Sequence, residues 1–378
     1  MEDDDSIYED SDYSYEDSMD DTPMHDTPLG WAAGKGNEAV VEVLLGRADI
    51  DPNKPGEDGL TPLGRAAKNG YEGAVKILLG RDDINPNQPD LDGRTPLWWA
   101  ADYGHEGTVR ALLVRDDIDP NKPGWDGQTP LCCAAVAGHS GVMEILLRRD
   151  DVNPSQSDDN GQTPLGCAAC DGHELVVEML LGRDDVDPNK PDRYGKTPLW
   201  LAARHGRKGV VKILLGRDNI NPDQSDDNGQ TPLSCAAFNG HELVVEILLG
   251  RDDVDLNKPD RNGRTPLMMA ICTRHEGVVK MLLGRDDLNP NKPEDGGRTP
   301  LWYAASIGHE GLVKMLLGRD GIDPNKSDTT KYRRTPLGIA AANRRWGVMA
   351  LLQPRTSASC NSISPRRLRP RPRPQRPH

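Results

Sequence analysis

Six of the nine histidines, His105, His139, His173, His241, His275 and His309, recur at one place in a repeated pattern. Histidine serves as a general base or a metal ligand. A recurring His with no converging nucleophile or carboxylate reads instead as a residue that caps or packs a helix start. Cys167-Ala-Ala-Cys170 has a CxxC spacing, but one pair supplies two ligands where a structural zinc needs four. Cys133 and Cys167 fall in one column of adjacent repeats, with Cys235 in the same column. Neighbouring helices pack at about 8–10 Å, beyond the roughly 7 Å reach of a disulfide, so these read as buried reduced thiols. Gly195-Lys196-Thr197 ends like a phosphate-cradling loop, but Lys190 stands where its first Gly is required. Asp117, Asp119 and Asn121, and again Asp185, Asp187 and Asn189, resemble half a calcium loop. Its sixth position is Lys122 or Lys190 and its twelfth Gln128 or Lys196, where Gly and Glu are needed. These read as turn formers that bond their own backbone. No Gly-x-Ser-x-Gly elbow occurs. The sequence therefore assigns no catalytic residue, metal ligand or cofactor, and the chain reads as a non-enzyme.

The spacing of these residues follows from a repeat. Thr-Pro-Leu begins at residues 27, 61, 95, 129, 163, 197, 231, 265, 299 and 335. Eight intervals are 34 residues and the last is 36. These are repeats 1 to 10 below. In repeat 6, Thr197 is placed to cap a helix and Pro198 suits the first helical position. The helix over PLWLAARH ends at Gly206, a second covers GVVKILL, and Gly216 offers a stop. The RDNINPDQ stretch is turn-rich. Helices this short are marginal alone, so each repeat needs its neighbours, and the product is a solenoid.

The pattern G-x-TPL-x-x-AA-x-x-GH-x-x-VV-x-x-LL resembles the ankyrin repeat over residues 22–352. The resemblance implies an all-α solenoid of about ten helix-turn-helix units with short hairpin loops. It also implies a concave protein-binding surface and no intrinsic catalysis. The chain departs from the family at three points. The period is 34, not 33. The residue after Thr-Pro-Leu is never His; it reads Gly30, Gly64, Trp98, Cys132, Gly166, Trp200, Ser234, Met268, Trp302 and Gly338. The Gly-Ala-Asp expected after the second helix is replaced by Arg-Asp-Asp types. These changes fall on hairpin shape and local bonding, not on architecture. The Leu-Leu-Gly-Arg-Asp-Asp style resembles long fungal ankyrin arrays. Residues 157–224 and 225–292 agree at 48 of 68 positions, as a two-repeat block copied once would.

Composition agrees with many small units. The 378 residues are 35% hydrophobic and 4% aromatic, with 39 Gly and 31 Pro, and the net charge is −14. That acidity disfavours a nucleic-acid partner for the array. No apolar run approaches the ~20 residues of a membrane span, the acidic start lacks a secretory signal, and seven Cys make no disulfide scaffold. The expected location is intracellular, cytoplasmic or nuclear. Residues 1–26 hold 12 acids and no Lys or Arg, and residues 353–378 hold seven Arg and no acid. We read 1–21 and 353–378 as disordered tails flanking the array at 22–352. Tyr8, Tyr13, Tyr15, Ser14 and Ser18 lie among the acids of the first. The second, with Arg371, Pro374 and Pro377, fits a polyproline groove or an import partner.

The ankyrin resemblance implies partner contacts at the hairpin tips and at the end of the first helix, here just before Gly-x-Thr-Pro and just after Ala-Ala, positions that also vary between repeats. Those columns contain Tyr103, Trp125, Arg193, Tyr194, Arg204, His205, Phe238, Asn239, Arg261 and Ile307. Exposed aromatics and Arg are common interface anchors. Trp98, Trp200 and Trp302 are read as filling inter-repeat space, Trp31 as packing within the first repeat, and repeats 1 and 10 as caps, the latter with a polar outer face. The leading expectation is a protein-interaction scaffold, its acidity favouring a basic partner. The alternative is the sensor part of a larger signalling receptor whose effector domain is elsewhere.

Overall fold

The structure, a computed structural model, describes residues 26–353. The expectations placed on 1–21, on His25 and on the segment after Gln353 fall outside them. The described residues form twenty helices in ten pairs, from Pro28–Gly34 to Trp346–Leu352, with no strand among them.

Each first helix starts as its sequence dictates. In repeat 6, Thr197 is extended (φ −82°, ψ 164°), and its hydroxyl accepts the Trp200 N–H at 3.1 Å. Pro198 occupies the first helical position, where no N–H is required. The helix spans Pro198–Arg204, and Gly206 then turns the chain at φ 68°. The second helix, Lys208–Leu215, buries Val210, Val211 and Leu214 completely, against the fully buried Ala202 and Ala203 of the first. Small alanines let the helices approach closely, so seven- and eight-residue helices acquire through packing what their length denies them.

Gly216 differs from expectation. It sits at φ −74°, a right-handed conformation any residue adopts. The second helix closes with the Gly216 N–H on the Lys212 carbonyl and the Arg217 N–H on the Leu214 carbonyl, so the left-handed glycine is needed only after the first helix.

The helices group into two compact units, one of residues 26–232 with 250–254, the other of 233–249 with 255–353. In the first, first helices stack on first helices and second on second from repeat 1 to repeat 6. Gly250–Val254 belongs there because the Arg251 guanidinium bonds the Leu215 carbonyl at 2.8 Å. In the second unit the helices Pro266–Cys272, Pro300–Ile307 and Pro336–Ala342 stack in the same way.

Trp98, Trp200 and Trp302 are buried, as expected of residues filling inter-repeat space. Trp98 and Trp200 donate Nε1–H to the carbonyls of Gln128 and Gln230, at 3.0 and 2.9 Å. Trp302 has no such partner, and the hairpin that follows it is two residues longer. Trp31 differs from its expectation: among the described residues it is 42% exposed. Repeat 10 ends on exposed Asn343, Arg344 and Arg345, but its outer face also carries Trp346, 70% exposed.

Candidate partner-binding face

Two edges of each repeat carry its polar side chains. The first is the loop after the second helix, Arg115 to Lys122 in repeat 3. Arg149 of repeat 4 donates to the Leu113 carbonyl of repeat 3 at 3.0 Å and pairs with its own Asp151. Arg81, Arg183 and Arg251 make the same bonds, as does Arg285 within the second unit. Asn121 bridges forward: its amide donates to the Asp151 carbonyl at 2.6 Å, and its oxygen accepts the Asn153 N–H at 2.8 Å. Asn53, Asn87 and Asn189 repeat the bridge, and Asn257 and Asn291 do so in the second unit. Asp119 accepts the Asn121 N–H at 3.0 Å, the turn predicted for this loop. Sequence reasoning saw the turn and missed the bridge. The recurrence of the Asn and Arg beyond what a turn requires was the available signal. The paired Arg holds the carboxyls of Asp83, Asp117, Asp151 and Asp185 below the usual range. An open cleft of about 480 Å³ between the first two loops is lined by Arg47, Asp49, Arg81 and Asp83, which pair among themselves.

The second edge is the hairpin before each Thr-Pro. Asp192 accepts the N–H groups of Tyr194 and Lys196 at 2.9 and 2.8 Å. Asp158 and Asp226 do the same for their hairpins, and burial pushes both carboxyls up. Successive tips are tied mainly through backbone: Trp125 N–H to Asp92 carbonyl, Arg193 to Asn160, Asp227 to Tyr194, at 2.8–2.9 Å. The Arg193 guanidinium adds a bond to the Asp159 carbonyl at 3.5 Å and one to the Tyr194 hydroxyl at 2.6 Å. Gly195 (φ 78°) is where the tips close up, since a Cβ there would lie 2.9 Å from the Asp227 nitrogen. With backbone carrying most of the register, a tip side chain such as Trp125 stays exposed.

The sequence-derived candidates sort by position. In the first unit Tyr103 is 49% and Trp125 68% exposed, and Arg193, Tyr194, Arg204 and His205 are exposed together in repeat 6. In the second unit Phe238, Asn239 and Arg261 are exposed, while Ile307 is half-buried. Asn239 turns its amide onto the Cys235 carbonyl at 2.9 Å. Leu91 was missed: it is 78% exposed at the tip preceding Trp125, in the same column. Behind Tyr103, Trp99 donates to Asp90 at 2.9 Å and lies under Arg94 and Lys68, its ring 5.9 Å from Tyr103.

The recurring histidines act between repeats. His105, His139 and His173 each bond a carbonyl 37 residues earlier, at 2.8–2.9 Å. Their rings lie on the left-handed glycine of the preceding repeat; a Cβ on Gly138 would be 2.4 Å from His173 Nδ1. None of the three caps its own helix through its side chain. His309 does, accepting the Leu312 N–H, because Arg274 replaces the glycine it would lie on.

The cysteines described are free thiols. Burial pushes Cys170 up to about 11 and pushes the Cys133 thiol well up too, which leaves them poor nucleophiles. The neighbouring Cys132 thiol and burial push the Cys167 thiol well up as well. Among the described residues, no three His, Cys, Asp or Glu gather as metal ligands, and no helix is long and apolar enough to cross a membrane.

A family model described as ankyrin repeats in three copies matches residues 13–90, 29–123, 83–158, 149–226, 218–294 and 286–363. No curated protein matches the chain.

Proposed function

The chain belongs to the ankyrin-repeat family, and on that premise we propose that residues 22–352 form a non-catalytic scaffold that binds protein through its hairpin tips and first-helix ends. Ankyrin repeats are generally protein–protein interaction modules. The observation that carries the reading is the division of labour at the tips. Backbone bonds hold Trp125, Arg193 and Tyr194 in place; the Trp125 indole is 68% exposed, and Arg193 and Tyr194 stay exposed while bonded to each other. Aromatic and Arg side chains on a fixed frame bind with little loss of entropy. His105, His139 and His173 are committed to inter-repeat bonds and His309 to a helix cap, which supports a structural role for the column. Free thiols support a reducing, intracellular setting, cytoplasmic or nuclear.

Affinity capture from native extract tests this with two baits, the wild type and a Tyr103→Ala, Trp125→Ala, Tyr194→Ala, Phe238→Ala variant of matched helix content. A protein retained only by the wild type is the expected result. Equal capture by both would move the site elsewhere.

A further inference from the structure

Repeat 6 stands apart in charge from the rest of the first unit. After Ala-Ala it carries Arg204, His205, Arg207 and Lys208, all exposed, and its hairpin adds Arg193 and Lys196. Lys208 occupies the column where repeats 1, 2, 3 and 5 place Glu38, Glu72, Glu106 and Glu174. Aromatic faces hold these cations in position. Arg193 and Lys196 lie 4.8 and 5.0 Å from the Tyr194 ring centre, and Lys196 and Arg204 lie 5.2 and 5.6 Å from that of Trp200. Arg207 is anchored by Nε on the Cys170 carbonyl at 2.9 Å and is exposed. Asp159, Asp171 and Asp227 border the patch. The result is a fixed set of cations in a chain whose net charge is −14. Such a surface selects an acidic peptide.

The same chain contains one. Residues 1–25 hold 11 acids and no Lys or Arg, and they join the first unit at Asp26. Five repeat steps at helix-packing spacing put repeat 6 about 40–50 Å from there, and 25 residues reach at most about 80–90 Å. We propose that the acidic N-terminal segment docks in cis on the cationic face of repeat 6. Its carboxylates face Arg193, Arg204, Arg207 and Lys208, and its tyrosines supply rings for the guanidinium planes. Docked there, it covers four of the proposed partner contacts, so the segment and an external partner compete. The contact is read on the purified chain alone, and it stands or falls separately from the capture experiment.

A carbodiimide joins carboxylates to lysine amines that touch them, and Lys196 and Lys208 are the amines at this site. The full-length protein is crosslinked as an equal mixture of light and isotopically heavy chains, and the linked peptides are mapped. The expected result is that residues 1–25 link mainly to Lys208 and Lys196, within chains of one isotope. One molar NaCl, which shrinks the screening length to about 3 Å, should cut the yield at least fivefold. So should Arg193→Glu with Arg204→Glu, which leaves both lysines as reporters. Links scattered over Lys35, Lys54, Lys68 and Lys122, mixed light–heavy links, or a yield indifferent to salt and to the double substitution would each overturn the proposal.

Discussion

Asn121 and Trp125 stand four residues apart in the chain, and the array uses them in opposite ways. Asn121 commits both ends of its side chain to the next repeat, one to the Asp151 carbonyl and one to the Asn153 N–H. Trp125 commits only its backbone, through the Asp92 carbonyl, and leaves its indole 68% exposed. The loop edge thus repeats because its side chains are the joints of the stack. The hairpin edge varies because its joints are backbone. Stability should therefore reside in the repeated columns and recognition in the variable ones.

The largest test of that division is at the His–Gly joint. Gly138→Ala should cost about 2–3 kcal/mol in urea unfolding, because a left-handed alanine is penalised by about 1–2 kcal/mol and the His173 ring loses its seat and its bond. The converse sharpens the point: Arg274, left-handed at φ 65°, becomes more stable by about 1 kcal/mol as glycine. Arg149→Ala should cost about 1 kcal/mol, since the Leu113 carbonyl loses its donor. Leu91→Ala, on the variable edge, should change stability by less than about 0.5 kcal/mol while weakening partner capture. Stability loss there comparable to Arg149→Ala would break the comparison.

Acid gives the smallest and most local contrast. Arg115 and Arg149 hold the loop carboxyls of Asp117 and Asp151 low. Their pairs contribute above the unfolded carboxyl range near 3.9 and are lost as pH falls through the lower folded value. Burial raises Asp158 and Asp226 of the hairpins. These favour the folded state when protonated, and that contribution is lost as pH rises through the higher folded value. Carboxyl-carbon titration of labelled aspartates should show two groups on either side of the ordinary value, hairpin above and loop below.

Much of the frame was legible in the sequence. Thr-Pro-Leu fixed the helix starts, the Ala-Ala and Val-Val pairs fixed the buried faces, and the 34-residue period fixed the stacking. Ten candidate contact residues were placed from the ankyrin resemblance together with variability between repeats; all but Ile307, which is half-buried, are exposed. What stayed hidden was what one repeat asks of the next. A histidine at a helix start reads as a cap until the glycine 35 residues earlier is seen beneath its ring. Glycine follows the same logic elsewhere: a Cβ on Gly141 would meet the Glu106 carboxylate of the preceding repeat, and where that residue is Ser140 the next repeat has room for Leu175. Such pairings span 35 residues and leave no trace in a local window. Trp31 was read as a packing residue and is 42% exposed, and Leu91 shares the variable column of Trp125 without having been singled out.

The most direct measurement sets Asn121→Ala beside Trp125→Ala in equilibrium urea unfolding of the same full-length chain. Asn121→Ala should lose about 1–2 kcal/mol, two inter-repeat bonds broken, and Trp125→Ala less than about 0.5 kcal/mol. Equal losses, or the larger loss at Trp125, would contradict the separation of stability from recognition on which the account rests.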